Sequence, residues 1–337
     1  MVFRMKFSKA EFLGILLVLL LEVFLLAAGC GNDKVDGTGV LVDEVDLNGE
    51  AESQFPLVIT DSAERKVLFA ESPKRIATVI PADMEIIYAL GGEVVGRPQK
   101  SFGEVRPPEA ATAEEIGRPQ IINFEKIAAL ETDLFIGHKR LNAKDVPTLE
   151  SLGMNVLLTQ GDSVEEIIDL IEMYGRILNK EAAANELIYD IEIEIEKISS
   201  GFEDKNLKAL ILYGTPSETM AALPKSLAGN MFELVGIQNI YQDMPGLKTY
   251  PTYAQLSLER ILEADPDVIY FMFMGDDEKP FEQFQAEMAL IPAWNELTAI
   301  RNDRLVVLPY ELFGTNPGPR IVESLHFLQD SLKNLYY

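Results

Sequence analysis

Cysteine is almost absent: the 337 residues contain one, Cys30. A single thiol can build neither an intrachain disulfide nor a cysteine-based zinc site. Histidine is nearly as scarce, with only His138 and His326, which removes the multi-imidazole sites that hold zinc or manganese. Positive charge is short as well: 29 Lys and Arg stand against 54 Asp and Glu, a formal charge of −25. A chain this acidic is repelled by phosphate backbones and anionic lipid, so nucleic acid is not among its expected partners. There is no Gly-x-Ser-x-Gly elbow, and two histidines leave few bases to activate a nucleophile, so a surface-anchored enzyme is the weaker alternative. With 54 acids, no sequence pair of carboxylates singles out a glycosidase. What is present is globular: 47% hydrophobic and 25% charged residues, over a length that suggests two domains of about 150 residues.

Arg4, Lys6 and Lys9 precede an apolar run from Phe12 to Ala28 that only Glu22 interrupts, and Leu26-Ala27-Ala28-Gly29-Cys30 follows. A basic head, a short apolar core and small residues before a cut describe a secretion signal over residues 1–29. The segment resembles a bacterial lipoprotein signal, which implies that Cys30 is lipidated and becomes the new N-terminus. The competing reading is a plain membrane anchor, for which the run is slightly short of the ~20 residues a span needs and Glu22 is costly. A diacyl group would be a two-chain anchor able to hold a soluble body at the membrane. Residues 30–54 are expected to form an acidic flexible tether. Asp33, Asp36, Asp43, Glu44, Asp46, Glu50 and Glu52 face Lys34 alone, with three glycines and no aromatic residue between Gly31 and Ser53.

Beyond the tether the pattern alternates. Pro56–Thr60 and Lys66–Phe69 flank a polar turn and predict a hairpin. Strands are predicted at 75–80, 94–96, 134–136 and 156–158, with helices at 83–90, 123–130 and 146–152 between them. Strand–helix alternation predicts a parallel sheet covered on both faces, with ligands at the carboxyl ends of its strands. Ser163 opens a helical stretch, and the pattern restarts after Asn179-Lys180 as a rod over 181–203. The alternation then resumes, with strands at 210–213, 268–273 and 305–308 and helices at 226–234, 256–264, 294–300 and 318–335. The predicted organisation is an α/β body with an N-terminal lobe at 55–180, a connecting helix at 181–203 and a C-terminal lobe at 204–337.

Four stretches carry a family resemblance: Pro73-Lys74-Arg75-Ile76-Ala77-Thr78-Val79-Ile80-Pro81 through Gly91, Asn123-Phe124-Glu125 through Ile136, Phe232-Glu233-Leu234-Val235-Gly236 through Ile240, and Ala264-Asp265-Pro266-Asp267-Val268-Ile269. In their order and spacing they resemble the substrate-binding proteins of ABC importers for iron–siderophore complexes, haem and cobalamin. The likeness covers the chain from about Pro56 onward. It implies the class III periplasmic-binding-protein fold, two Rossmann-like lobes joined by one long rigid helix. It also implies an extracytoplasmic, monomeric, non-enzymatic protein with no cofactor of its own, which takes up a metal chelate and passes it to an ABC permease dimer with its ATPase. Tyr213-Gly214-Thr215-Pro216, Met220-Ala221-Ala222, Lys225-Ser226, Tyr253-Ala254-Gln255 and Leu312-Phe313-Gly314-Thr315 are most similar to haem-receptor lipoproteins of Gram-positive bacteria, although the iron-ligating Met and His of that group have no matching residue here. The resemblance further implies that Glu125 and Glu233 dock into basic pockets on the two permease subunits. Cobalamin is the alternative cargo.

Loops after strand ends supply the ligand candidates: Arg97, Arg118, His138, Lys139, Arg140 and Arg320 as donors to an anionic chelate, with Tyr213, Lys225, Tyr253 and Met274 beside them. Tyr250, Met272 and Tyr310 fall in the same loops. The tetrapeptide Gly-Arg-Pro-Gln occurs twice, at 96–99 and 117–120. His138 directly follows a predicted strand and is either an iron ligand or a hydrogen-bonded structural residue. His326, beside Leu325 and Phe327 in an amphipathic pattern, reads as structural.

Overall fold

Alternating apolar residues predict the first hairpin, and it forms. In a computed structural model that describes residues 55–100, 104–201, 206–215, 218–274 and 278–333, Leu57–Thr60 (β1) pairs antiparallel with Lys66–Phe69 (β2). Leu57, Ile59, Val67 and Phe69 turn inward, while Val58 and Leu68 stay exposed. The expected signal sequence, Cys30 and the acidic tether lie outside the described residues. Among those described, no helix is long and apolar enough to cross a membrane.

Two larger sheets follow. Ile76–Thr78 (β3), Gly96–Arg97 (β4), Glu114–Glu115 (β5), Leu134–His138 (β8) and Asn155–Thr159 (β9) form a wholly parallel sheet in the order β5-β4-β3-β8-β9. Between them in sequence, Gly117–Arg118 (β6) and Ile121–Ile122 (β7) make a separate antiparallel ribbon. The second sheet holds Lys208–Gly214 (β10), Thr219–Ala222 (β11), Gln238–Asn239 (β12), Tyr253–Gln255 (β13), Val268–Phe273 (β14) and Leu305–Val307 (β15). Its order is β13-β11-β10-β14-β15, with β12 beside the start of β10. Here the expected repeat of parallel logic needs correcting: β11 runs antiparallel to both its neighbours, β10 and β13. The cause is local. Thr215 N–H donates to the Glu218 carbonyl at 2.8 Å, which turns the chain straight back along β10. Of the four residues of β11, Thr219–Ala222, Thr219 alone is β-branched, so the strand was not visible in advance. The helix Lys279–Ala289 was likewise not expected.

Strand periodicity builds the core. Ala77, Phe135, Val156 and Leu158 point to one face of the first sheet, onto the helices Phe124–Ala129 and Val146–Ser151. Ile76, Leu134, Ile136 and Leu157 point to the other. That second face belongs to a continuous apolar layer reaching Ala209, Ile211, Val268, Tyr270 and Met272 of the second sheet. Between the sheets lie the helices Pro81–Ala89, Val164–Leu178, Glu181–Ser199, Leu227–Leu234 and Ile321–Lys333. The far face of the second sheet, with Leu210, Leu212, Ile269 and Phe271, packs on Phe284 and Trp294. Both faces of both sheets are therefore covered, as their unbroken apolar strands require.

The helices start where their capping residues allow. Ser163 Oγ accepts from Glu166 N–H at 3.1 Å, and Glu166 Oε2 returns the bond to Asp162 N–H at 2.7 Å. Asn123 caps the helix that carries Glu125, its Oδ1 accepting from Lys126 N–H at 3.0 Å. Asn179, at φ +55°, ends Val164–Leu178, and a 19-residue helix of about 28 Å follows at once. On it Ala184, Ile191 and Ile198, seven apart, form the buried seam. His326 Nε2 meets Glu194 Oε2 at 2.9 Å and ties the last helix to this rod.

The halves are fastened by a charged pair. Arg320 Nε lies 2.8 Å from Glu85 Oε2, with the side chains only 16% and 10% exposed. Beside it Gly318, at φ +58°, lets the backbone approach Ala82, whose carbonyl oxygen would sit 3.0 Å from any Cβ there. Truncating Arg320 would strand a buried carboxylate. Arg320→Ala is therefore expected to lower stability by about 3 kcal/mol, read as the shift in urea midpoint at unchanged m-value.

Candidate ligand site

The strand ends of the two sheets converge. From the first come His138, which closes β8, and the turn after β9, Gln160-Gly161-Asp162. From the second come Tyr213 near the end of β10, Met274 after β14, and Tyr310 after β15. Gly161 presses against the Asn316 side chain, leaving no room for a Cβ. Val164 N–H donates to Asn230 Oδ1 at 2.9 Å. These contacts seat the first half's loops against the second.

Three tyrosines form one wall. The ring centroids of Tyr213 and Tyr253 are 5.2 Å apart, and those of Tyr213 and Tyr310 are 6.2 Å apart with planes at 22°. Burial drives all three hydroxyls above the usual phenol range; for Tyr253 and Tyr310 the Tyr213 phenol adds to it, and the Asp162 carboxylate adds a smaller push on Tyr253. The wall is thus aromatic and neutral, and it offers stacking surface and hydroxyl hydrogen bonds rather than phenolate ligands.

On the first sheet's side, His138, Lys139 and Arg140 sit in one turn, the last two exposed. Burial, and then the Arg140 charge, hold the His138 imidazolium pKa below its usual value, with Asp162 opposing. Among the described residues, no group of three or more His, Cys, Asp or Glu side chains could hold a metal ion.

Other candidates are placed elsewhere. Arg97 is tied to its own sheet edge, with Nη1 3.0 Å from the Pro98 carbonyl oxygen and 3.3 Å from Glu115 Oε2. Arg320 is the inter-sheet clamp described above. Arg118 is exposed on the β6–β7 ribbon, where Gln99 N–H donates to the Gly117 carbonyl and sets the two Gly-Arg-Pro-Gln copies side by side. Lys225 is exposed just before the helix that Ser226 caps. Met272 is buried in the central layer, whereas Met274 is 60% exposed. Glu125 and Glu233 are both exposed. Two surface concavities, of about 640 Å³ and 630 Å³, lie away from the tyrosine wall: one beside the Glu85–Arg320 pair, the other around Glu125. Neither gathers the stacked rings and donors that the strand ends bring together.

Two acids at or below these strand ends escaped the sequence reading. Asp162 directly follows β9, so the strand-end rule that selected His138 would have found it too. Asp83 lies fully buried below the strand ends, its Oδ2 accepting from Thr159 Oγ1 at 2.6 Å. Its Oδ1 and the Tyr174 hydroxyl are buried with no partner at hydrogen-bond distance among the described residues. The available signal was a pair of acids, Asp83 and Glu85, in a helix of mainly apolar residues.

Residues 76–312 match the periplasmic binding protein family. A Bacillus subtilis (strain 168) protein named uncharacterized ABC transporter substrate-binding lipoprotein YvrC is 26% identical over 330 residues, 95% of this chain and 96% of that one. The haem complex of Staphylococcus aureus IsdE is similar in fold, with TM-score 0.65 and 24% identity over 76% of this chain and 98% of that one. A structure from an ABC-type Fe3+-hydroxamate transport system of Saccharomonospora viridis has TM-score 0.63 and 25% identity, covering 82% of this chain and 99% of that one.

Proposed function

Because the chain belongs to the periplasmic binding protein family, we propose that it is the solute-binding component of an ABC importer and that its cargo is an iron complex, a ferric siderophore or haem. The observation that carries this reading is the convergence of strand-end loops. The second sheet's loops bring the tyrosine wall and the first sheet's the turn of His138, Lys139 and Arg140, and the Asp162 carboxylate acts on both Tyr253 and His138. A flat or bulky chelate would rest its apolar faces on the rings and its anionic oxygens on the cationic turn. The similar IsdE is complexed with haem, and the Saccharomonospora viridis structure comes from an Fe3+-hydroxamate transport system, both cargoes of this chemistry.

In this reading residues 55–180 form the N-terminal lobe, 181–203 the connecting helix and 204–337 the C-terminal lobe, with the cargo held between the lobes. Met274, exposed after β14, stays with the cargo side, whereas Arg118 and Lys225, exposed on other segments, are not assigned to it. Cys30 carries the lipid that holds the body outside the cell membrane, and the acidic stretch after it gives reach. Glu125 and Glu233 dock the two permease subunits, and ATP hydrolysis on the partner ATPase drives transfer.

The test is the absorbance spectrum of the purified protein after incubation in turn with ferric protoporphyrin IX, a ferric hydroxamate chelate and cyanocobalamin. One-to-one uptake of either iron probe supports the reading. Uptake of cyanocobalamin alone moves the assignment to vitamin B12, and uptake of none ends it. Trp294 is a poor reporter, since it is buried edge-on against Phe284 at 5.5 Å on the outer face of the second sheet. Within the wall, Tyr213→Ala is expected to weaken binding of the accepted probe at least about tenfold, whereas Tyr213→Phe, which keeps the ring, stays within about threefold. Equal losses in the two variants would assign the affinity to the hydroxyl instead.

A further inference from the structure

The turn after β8 fixes which nitrogen of His138 carries a proton. The Arg140 backbone N–H donates to His138 Nδ1 at 3.1 Å. A backbone amide can only donate, so Nδ1 must present its lone pair there. The turn holding that amide is braced. His138 N–H donates to Asn142 Oδ1 at 2.9 Å, and Asn142 N–H returns a bond to the His138 carbonyl at 2.9 Å. Buried Asn142 is itself anchored, its Nδ2 donating to the Pro119 carbonyl at 2.9 Å and to Asp145 Oδ2 at 3.0 Å. Burial and the Arg140 guanidinium both disfavour the imidazolium, while the Asp162 carboxylate opposes them. In a neutral ring whose Nδ1 is an acceptor, the proton is on Nε2. Nε2 has no hydrogen-bond or ion-pair partner among the described residues, Asp162 included.

From this geometry we infer that His138 offers the cargo an Nε2–H hydrogen-bond donor and not a metal-ligating lone pair, and that with Lys139 and Arg140 it forms a donor-only corner for an anionic oxygen at the cargo's edge. The inference rests on the reading of the chain as an importer's binding protein and names the part of the cargo this turn contacts. To ligate iron through Nε2, the ring would have to move its proton to Nδ1. That would set N–H against the Arg140 N–H and break a bond the braced turn holds in place. Among the described residues, the Arg140 N–H is the one partner at hydrogen-bond distance of Nδ1, and no acceptor stands there to receive an Nδ1–H. The oxygen it meets belongs to a carboxylate in a haem-type cargo and to a chelating group in a hydroxamate-type cargo.

Two measurements test this. In the ligand-free full-length protein, the ring ¹⁵N shifts of His138, assigned by their loss in His138→Gln, are expected to report the Nε2–H tautomer near neutral pH; an Nδ1–H ring overturns the inference without touching the assigned function. Affinity is then measured for ferric protoporphyrin IX and for a ferric hydroxamate chelate. His138→Gln keeps an N–H donor but has no imidazole lone pair, so it is expected to bind within about threefold of wild type with unshifted iron absorbance bands. His138→Ala is expected to lose about tenfold. The probe that shows this loss identifies the source of the oxygen. Shifted bands in His138→Gln, a loss there equal to that of His138→Ala, or a bound probe indifferent to both variants each overturn the donor role. If neither iron probe binds the wild type, the iron-importer reading falls and takes the donor role with it, whatever the tautomer.

Discussion

Glu125→Arg combined with Glu233→Arg is expected to stop import while cargo binding stays within about threefold of wild type. Each acid is exposed, and among the described residues neither is in an ion pair. They stand on different helices: Phe124–Ala129, packed on the outer face of the first sheet, and Leu227–Leu234, packed in the layer between the sheets. The two exposed acids thus stand on different helices, each with an exposed aliphatic neighbour, Ile121 at 65% and Leu234 at 36%. Reversal turns attraction for a basic pocket into repulsion at both anchors, and like-charge juxtaposition across an interface costs several kcal/mol. The fold should tolerate the change. Glu125 lies in the first turn of its helix, where an acid is favoured by the helix dipole, so its reversal costs about 0.5 kcal/mol. Neither acid sits in the loops bearing His138 or the tyrosine wall. The measurements are cargo uptake by cells carrying only the variant, and cargo binding by the purified variant. Uptake that persists removes the docking role, and binding that collapses relocates these acids to the pocket or the fold.

The second large effect concerns pH. Burial raises the Asp83 carboxyl from its ordinary 3.8 to about 7, only partly offset by the Thr159 hydroxyl. The folded state then holds a proton that the unfolded chain releases near pH 4. Stability follows 2.303RT times the protons bound unfolded minus those bound folded, a negative difference between pH 4 and 7. Wild type should therefore be stabler below pH 4 than above pH 7 so far as this group acts. At about 1.4 kcal/mol per unit, the loss is of order 4 kcal/mol and is complete above pH 7. Asp83→Asn cannot ionise and still presents an oxygen to Thr159 and an amide towards Tyr174, so its stability should lack this slope. Burial also raises the Glu85 carboxyl despite Arg320, and its contribution of the same sign is common to both proteins. Urea unfolding at a series of pH values checks this. The Asn variant's advantage should grow by roughly 4 kcal/mol from pH 4 to 7.5; an advantage that stays constant would mean Asp83 is already ionised when folded.

Much of the architecture is legible along the chain because it is local. Alternating residues at 57–60 and 66–69 and unbroken apolar runs at 134–136 and 268–273 became strands, and Asn123, Ser163 and Ser226 became caps, since each depends on neighbours within a few residues. The motifs around Glu125 and Glu233 belong to helices that both formed, and the lipoprotein-like start is a reading of sequence alone. Other features required the fold. Whether Arg97 and Arg320 were available to a ligand depended on Glu115 and Glu85, distant in sequence and adjacent in space. The reversed direction of β11 was set by the Thr215–Glu218 backbone bond and its pairing with β10, not by a run of strand-forming residues. The tyrosine wall draws on residues 213, 253 and 310, and the His138 proton position on an amide two residues away that only a braced turn could aim. Apolar periodicity and capping are encoded within a few residues of chain. Partnership between charges, stacking between rings and the burial of Asp83 are set by which surfaces meet once the sheets enclose their shared layer, and no short stretch of sequence encodes that meeting.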